Sequence, residues 1–431
     1  MPRIFFSKSG VARIAPQPWM TERATRRLLR ALAKGNVAVR FVGGAVRDSL
    51  LGRAVSDIDL ATPAAPETVI ALLEKARIKV VPTGLAHGTV TAVVPPRHFE
   101  ITTLRHDVEP LGRHARVAFI DDWRVDAERR DFTMNALFLD PDGTILDYVR
   151  GLPDLRARRV RFVGDPATRI REDVLRLLRF YRFHAQLGRE PADAEARAAC
   201  RLLAPLLPKL SAERVCAELL KLLKAPDPLP TLALMARDGV LPVVLPEATR
   251  AERLRGMLAI EPDPDPIRRI AALIEVDREG ALALARRLKF SNAQRDRLAA
   301  LVAPPWPVEL AADVRAQRRA LHHLGAERYR DLLLLRAAEA DPSARRRARA
   351  LLRFAAQTKL PVFRIKGRDL HKLGVKRGPE IGRVLREVEA WWEDGDFRAT
   401  RGQCLREAKA RIAASQASES RDPTPRASAR S

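Results

Sequence analysis

The pattern of apolar residues changes character near residue 165, and that change limits what the chain can fold into. Before it, short runs of β-forming residues alternate with Gly and Pro. The segments 37–42, 58–61, 79–81, 89–94 and 99–102 read as strands. Helical spacing over 45–51 and 66–75 places two helices among them. After it, helical periodicity dominates. Asp165-Pro166 opens one long amphipathic stretch that runs to Gly188. A second covers 211–224, with Ser211 as N-cap and Arg214/Glu218 at i,i+4. Further helices are expected at 228–238, 267–288, 292–302 and 327–356, separated by Pro-rich breaks at 226–230, 261–266 and 304–307. The expected class is α+β, a mixed N-terminal part followed by an all-α remainder. No fixed-period repeat is visible, and the Ser-, Arg- and Pro-rich segment 415–431 reads as disordered.

Composition narrows the choice of partner. Lys and Arg number 78 against 53 Asp and Glu, a formal charge of +25. Such an excess favours a polyanion, either nucleic acid or an acidic membrane surface. An Arg-rich genome is the alternative source of the charge. Membrane-surface binding calls for basic amphipathic helices with exposed aromatics, and aromatics are only 5% of the residues. Cys200, Cys216 and Cys404 are too few and too scattered for a disulfide framework or a zinc cluster, so reduced thiols are expected, with Cys200 and Cys216 in the core. The basic first 20 residues have a short, broken apolar run and make a poor signal peptide. No apolar run approaches the roughly 20 residues of a membrane span. Together these features predict a cytoplasmic protein.

The richest segment is Val42-Gly-Gly-Ala-Val-Arg-Asp48 followed by Ser56-Asp-Ile-Asp-Leu60. It reads as strand, Gly-Gly turn, helix, then a strand carrying two carboxylates. Gly43 and Gly44 let backbone N–H groups approach an anion at a helix start, with Arg47 nearby. Asp57 and Asp59 are two residues apart, which on a strand points both to one face. Adjacent like charges are costly unless a cation joins them, and Mg²⁺ prefers a few carboxylates plus substrate phosphates. Two such ions would align an attacking hydroxyl and a leaving phosphate. Either half of this pattern alone is weak; together they point to metal-assisted phosphoryl or nucleotidyl transfer.

On these residues the chain resembles the class II CCA-adding enzymes, tRNA nucleotidyltransferases. They share with bacterial poly(A) polymerases a head of the DNA polymerase β-like nucleotidyltransferase superfamily. The resemblance runs from about Asn36 to about Phe397. It implies a nucleotidyltransferase head at 20–160, a nucleotide-selecting helical neck at 161–225, a helical body at 226–305 and a tRNA-binding helical tail at 306–414. Arg129-Arg-Asp-Phe-Thr-Met-Asn-Ala136 matches the family's ribose and phosphate motif. Arg130 can fork onto a phosphate, and Asp131 and Asn135 can bond a sugar hydroxyl. A surface ion pair beside a buried Phe132 is the bland reading.

Glu172-Asp-Val-Leu-Arg-Leu-Leu-Arg-Phe-Tyr-Arg-Phe183 matches the family's nucleotide-selecting helix, with Asp173, Arg176, Arg179 and Arg182 at helical intervals and Asp173 and Arg176 on one face. Val174, Leu177, Leu178 and Tyr181 are its expected buried stripe. Cytosine and adenine each present an exocyclic amine beside a ring-nitrogen acceptor, which an Asp and an Arg complement. Uracil and guanine reverse the pattern and leave both side chains unpaired. The resemblance implies that Asp173 and Arg176 do this in place of a template; an exposed ion pair on a basic helix has the same spacing. Glu100 is a candidate third catalytic carboxylate, or a hydrogen-bonded edge of the core. His87 is expected to orient a turn.

The loop from Arg105 to Arg113 departs from the family: Leu111-Gly-Arg-His-Ala115 stands where relatives often read Asp-Gly-Arg-His-Pro. That loop is associated with the switch from C to A addition. Ser211–Leu223 resembles the neck motif, where Glu213, Arg214 and Glu218 are expected to form ion pairs. Segments 365–370 and 378–382 resemble the tail, with Lys366, Arg368 and Arg377 as candidate phosphate contacts and Trp391-Trp392 as its packing. The expected activity is addition of C, C and A to tRNA from CTP and ATP with Mg²⁺. The alternatives are a poly(A) polymerase, a CC-only or A-only enzyme, and a non-catalytic RNA-binding protein.

Overall fold

The computed structural model describes residues 4–6, 11–109, 116–359, 362–375 and 378–419. They form two compact units. The first comprises residues up to Ala251 with Asp263–Val276 and Leu282–Arg295; the second comprises Glu252–Pro262, Asp277–Ala281 and residues from Asp296 onward.

The first unit contains a seven-stranded mixed sheet of β1 (Arg40–Val42), β2 (Ile58–Thr62), β3 (Lys79–Gly84), β4 (Thr89–Val94), β5 (Arg97–Thr103), β6 (Leu137–Leu139) and β7 (Ile145–Asp147). Their spatial order is β7-β6-β1-β2-β5-β4-β3. All pairs are antiparallel except β2 with β5. The five strands expected from sequence are present, while β6 and β7 escaped it. Leu137, Phe138 and Leu139 are all buried, so β6 shows no alternation to reveal it. In β4 the alternation is plain: Val90, Ala92 and Val94 are buried, and Thr91 and Val93 between them are only partly so. Helices α1 (Gly44–Leu50) and α2 (Pro66–Lys75) fall within a residue of expectation. Trp19 packs edge-on to Phe41 and donates its indole N–H to Ser49 Oγ at 2.9 Å. The stretch after Arg105 is a strand to Glu109, paired with Arg116–Phe119, and Leu111–Ala115 lies outside the described residues.

The long stretch expected from Asp165 to Gly188 is two helices, α3 (Pro166–Glu172) and α4 (Leu175–Leu187). Asp165 caps α3 by accepting from Thr168 N–H at 2.7 Å. The chain then breaks at Asp173, whose backbone is extended (φ −149°, ψ 106°) and whose carboxylate accepts from Leu175 N–H at 3.1 Å. A short carboxylate competing for backbone N–H groups is what ends one helix and starts the next. Asp173 and Arg176 therefore do not share a helical face. Leu177, Leu178 and Tyr181 are buried as expected, and Val174 only partly. α5 (Ala212–Leu223) packs on α4; Ser211 occupies its N-cap position without a side-chain cap bond. The stretch 267–288 is also broken, into Pro266–Leu273 and Arg278–Arg287.

The second unit is helical. α6 (Val314–Ala338) is kinked at Gly325 (φ 74°), and α7 (Pro342–Gln357) follows a cap at Asp341, so 327–356 is not continuous. α8 (Pro379–Asp394) and α9 (Arg401–Glu419) enclose a core that includes Leu370, Val384, Val388, Trp392 and Cys404, with Trp391 partly buried against it. α9 carries helix to Glu419, so Ser415–Glu419 are not the start of a disordered tail; residues 420–431 lie outside the described residues. Among the described residues no helix is long and apolar enough to cross a membrane.

Candidate active site

Gly43 joins β1 to α1 with φ +70°, a conformation that favours glycine. A Cβ there would also face Asp59 Oδ2 at 3.6 Å. The turn brings the start of α1, whose first N–H groups have no acceptor inside the helix, over the carboxylate of β2. Arg47, one turn into α1, is held by a fork onto Asp48 (3.0 and 2.7 Å) and donates to Asn135 Oδ1 at 2.8 Å.

The parallel pairing of β2 with β5 sets Asp59 directly opposite Glu100. Partners in register point to the same face, so Glu100 joins the carboxylate set as the sequence allowed. Asp57 lies one residue before β2, exposed, and accepts from Ser56 Oγ at 3.0 Å. Burial and the neighbouring charges of Glu100 and Asp57 push Asp59 up to about 6, with Arg130 pulling the other way. A carboxyl in that state is relieved by a cation with oxygen ligands, so the donor set fits a hard divalent metal.

Arg129 and Arg130 both grip the buried Asp126, at 2.9 Å and at 3.1 and 2.7 Å. Burial opposes ionisation of Asp126, but the two guanidiniums outweigh it and hold its pKa below the usual range. Asp131 is likewise buried yet held low by Arg179, Asn135 and Phe132 N–H. It accepts from Arg179 Nε at 2.8 Å and from Asn135 Nδ2 at 3.0 Å. Asn135 thus bridges Arg47 and Asp131, with both ends of its amide engaged. The two residues expected at a sugar hydroxyl form the spine of an Arg47–Asn135–Asp131–Arg179 chain.

The two residues expected to read the base are each held by a partner outside the pair. Asp173 accepts two bonds from Arg214 of α5, at 3.1 and 2.8 Å. Arg176 donates to Glu172 at 2.5 Å and to Arg169 O at 3.3 Å. The expected Arg214/Glu218 pair does not form, because Glu218 pairs with Arg182 at 2.6 Å. Arg182 stacks over Phe183, 3.9 Å from its centroid.

These elements enclose a polar cavity of about 380 Å³. Gly43, Gly44, Arg47, Asp59, Arg130, Asp131, Asn135, Asp173, Arg176 and Arg179 line it, and Asp57, Glu100 and Arg182 do not. Arg129, Leu175, Phe183 and Arg214 also line it and were missed as site residues. Arg129 and Phe183 sit at the edges of recognised motifs, so adjacency was their signal. Arg214 lies within the recognised neck motif, but its partner Asp173, 41 residues away, had no signal in the local pattern. In the second unit Lys366 and Arg368 are exposed, and Arg377 lies outside the described residues.

A mixed sheet presenting clustered carboxylates beside a Gly-Gly helix start and a wall of arginines defines a nucleotidyltransferase head. Residues 39–161 match the family described as Poly A polymerase head domain, and 193–252 match that described as Probable RNA and SrmB- binding site of polymerase A. The mitochondrial CCA tRNA nucleotidyltransferase 1 of Danio rerio is 34% identical over 395 residues, 88% of each chain. The CCA-adding enzyme of Bacillus licheniformis is 43% identical over 199 residues, 46% of this chain and 49% of its own. The crystal structure of the Bacillus stearothermophilus CCA-adding enzyme in complex with CTP superposes with a TM-score of 0.74 at 29% identity, covering 92% of this chain and all (100%) of that one. The chain belongs to the family of CCA tRNA nucleotidyltransferases.

Proposed function

We propose that the protein adds C, C and A to the 3′ end of tRNA from CTP and ATP without a template. The observation that supports this reading is that Asp59, Asp173 and Arg176 line one cavity, so a carboxylate proposed to hold metal would lie beside two side chains proposed to read the base. The terminal 3′-hydroxyl attacks the α-phosphate in line. The P–O bond to pyrophosphate breaks, and pyrophosphate leaves with the electron pair. Asp57, Asp59 and Glu100 would hold Mg²⁺, which when bound lowers the pKa of the attacking hydroxyl and neutralises the leaving charge. Gly44, Arg47 and Arg130 hold the triphosphate. Asp173 accepts from the exocyclic amine of C or A, and Arg176 donates to the ring nitrogen. Arg214 and Glu172 keep those two side chains aimed, so selection does not require them to reorganise.

We assign catalysis to residues 20–160, nucleotide selection to 161–225, and tRNA contact to 306–414, where Lys366 and Arg368 offer exposed cations. We place the protein in the cytoplasm. Three buried, unpaired cysteines support a reducing compartment of that kind.

The test is incorporation into tRNAs ending before CCA, after C and after CC, with CTP, ATP or both. The expected result is addition that stops at CCA and disappears in Asp57→Ala/Asp59→Ala. Long A tracts would assign a poly(A) polymerase, arrest at CC a split activity, and no incorporation a non-catalytic RNA-binding protein.

A further inference from the structure

The second unit carries a group of metal-ligating side chains unconnected with nucleotide transfer. His322 on α6 faces Glu389 and Glu393 on α8, and one ligand atom from each lies within 4.8 Å of the other two. His322 Nε2 is 3.5 Å from Glu389 Oε1. Glu389 and Glu393 are at i,i+4, so both carboxylates project from one face of α8 toward α6. The next residue along α6, His323, places Nε2 3.0 Å from Glu393 Oε2.

Two further observations point to a cation here. The first is the charge balance. In a chain of net charge +25, the neighbouring acids Asp394 and Asp396 are paired with Arg319 and Arg318 at 2.8 and 2.5 Å. Glu389 and Glu393 face imidazoles instead, at 3.5 and 3.0 Å, and the Glu393 side chain is only 9% exposed. A buried carboxylate is costly unless it is paired or coordinates a metal. The second is that both rings are clamped. His323 stacks on Trp306 with centroids 3.7 Å apart and planes 14° apart. His322 is held against Trp392 at 5.6 Å and Phe397 at 5.3 Å. Clamped ligands lose little freedom when an ion binds.

We propose that His322, Glu389 and Glu393 form a zinc-type site that ties α6 to α8, with His323 or water completing the coordination. One imidazole nitrogen with two carboxylate oxygens is a donor set that Zn²⁺ accepts, at about 2.0–2.2 Å from each atom. Tetrahedral ligands at that distance lie about 3.3 Å apart, which the His322–Glu389 separation already approaches. Bound metal would stabilise the folded second unit by mass action, since the unfolded chain has no such site.

The experiment uses the full chain carrying Asp57→Asn/Asp59→Asn, which removes the strand carboxylates as competing ligands. After chelator treatment the protein is titrated with Zn²⁺ by calorimetry, and with Co²⁺ by visible absorption. The expected result is one ion per chain, a tetrahedral Co²⁺ spectrum and a raised Tm. His322→Asn and Glu389→Gln should each weaken binding by about tenfold or more, since even a residue outside the ligand set costs about 10–100-fold. Both variants should keep the Tm of the metal-free parent within a few degrees. The proposal is overturned if the parent binds no ion, or if both variants bind Zn²⁺ as the parent does. A finding that acid pH alone raises Tm and Zn²⁺ adds nothing also overturns it, because protonated imidazoles would then be the cations.

Discussion

Replacing Asp173 by Asn tests how the base is chosen. The carboxylate is fixed from two sides, by Arg214 at 3.1 and 2.8 Å and by Leu175 N–H at 3.1 Å. An Asn of the same shape keeps one acceptor oxygen but gains an amide that can turn and donate. A carboxylate accepts only, so it rejects the carbonyl that uracil presents in place of the amine. A charge-assisted hydrogen bond contributes about 1.5–3 kcal/mol. Asp173 and Arg214 side chains are 23% and 22% exposed, which argues for the low end, about 1.5 kcal/mol or roughly tenfold. The correct base loses that factor, and the wrong base regains about as much when repulsion is relieved. The CTP:UTP ratio of kcat/KM should then fall by about a hundredfold. The assay is single-turnover incorporation of CTP or UTP into tRNA ending before CCA, with urea unfolding to confirm the fold. A folded variant whose ratio stays within about threefold of the parent refutes the assignment of Asp173.

Three other outcomes are expected. Asp59 is pushed up to about 6 from an unfolded value of 3.8. As pH rises between these values the unfolded chain releases its proton first, so stability falls until the folded carboxyl ionises. Asp59→Asn should therefore stabilise the metal-free protein above about pH 6 by up to about 3 kcal/mol, with the gain vanishing below about pH 4; urea unfolding in chelator that shows no gain near neutral pH contradicts the cause given. Asp131→Asn leaves Arg179 without its carboxylate, and with Arg179 32% exposed the loss should be about 2–3 kcal/mol in the same assay; an unchanged midpoint would deny that the pair supports the site. Gly43→Ala should cost about 1–2 kcal/mol in stability through backbone strain at φ +70° and raise KM for both nucleotides; steady-state kinetics and melting indistinguishable from the parent would show that the turn tolerates a side chain.

Motif residues close in sequence were legible because their chemistry is local. Gly43, Gly44 and Arg47 come from one strand–turn–helix, and Arg130, Asp131 and Asn135 from one short segment, and all of them line the cavity. The helical continuity of 166–188 was misread, because apolar periodicity continues across Asp173 while its carboxylate takes the N–H of Leu175. β6 was missed because a strand buried on both faces has no alternation.

Residue type and spacing by themselves determined the α+β division and the carboxylate and glycine constellation, because each depends on neighbours within a few positions. The tertiary structure alone decided which acids share a face and which arginine holds which carboxylate. Glu100 joins Asp59 through a parallel strand pair, Asp173 is aimed by an arginine from another helix, and Glu218 is taken by Arg182 rather than by Arg214. The physical reason is that charges pair across space with whichever partner packing brings within about 3 Å, and that partner carries no mark in the local pattern.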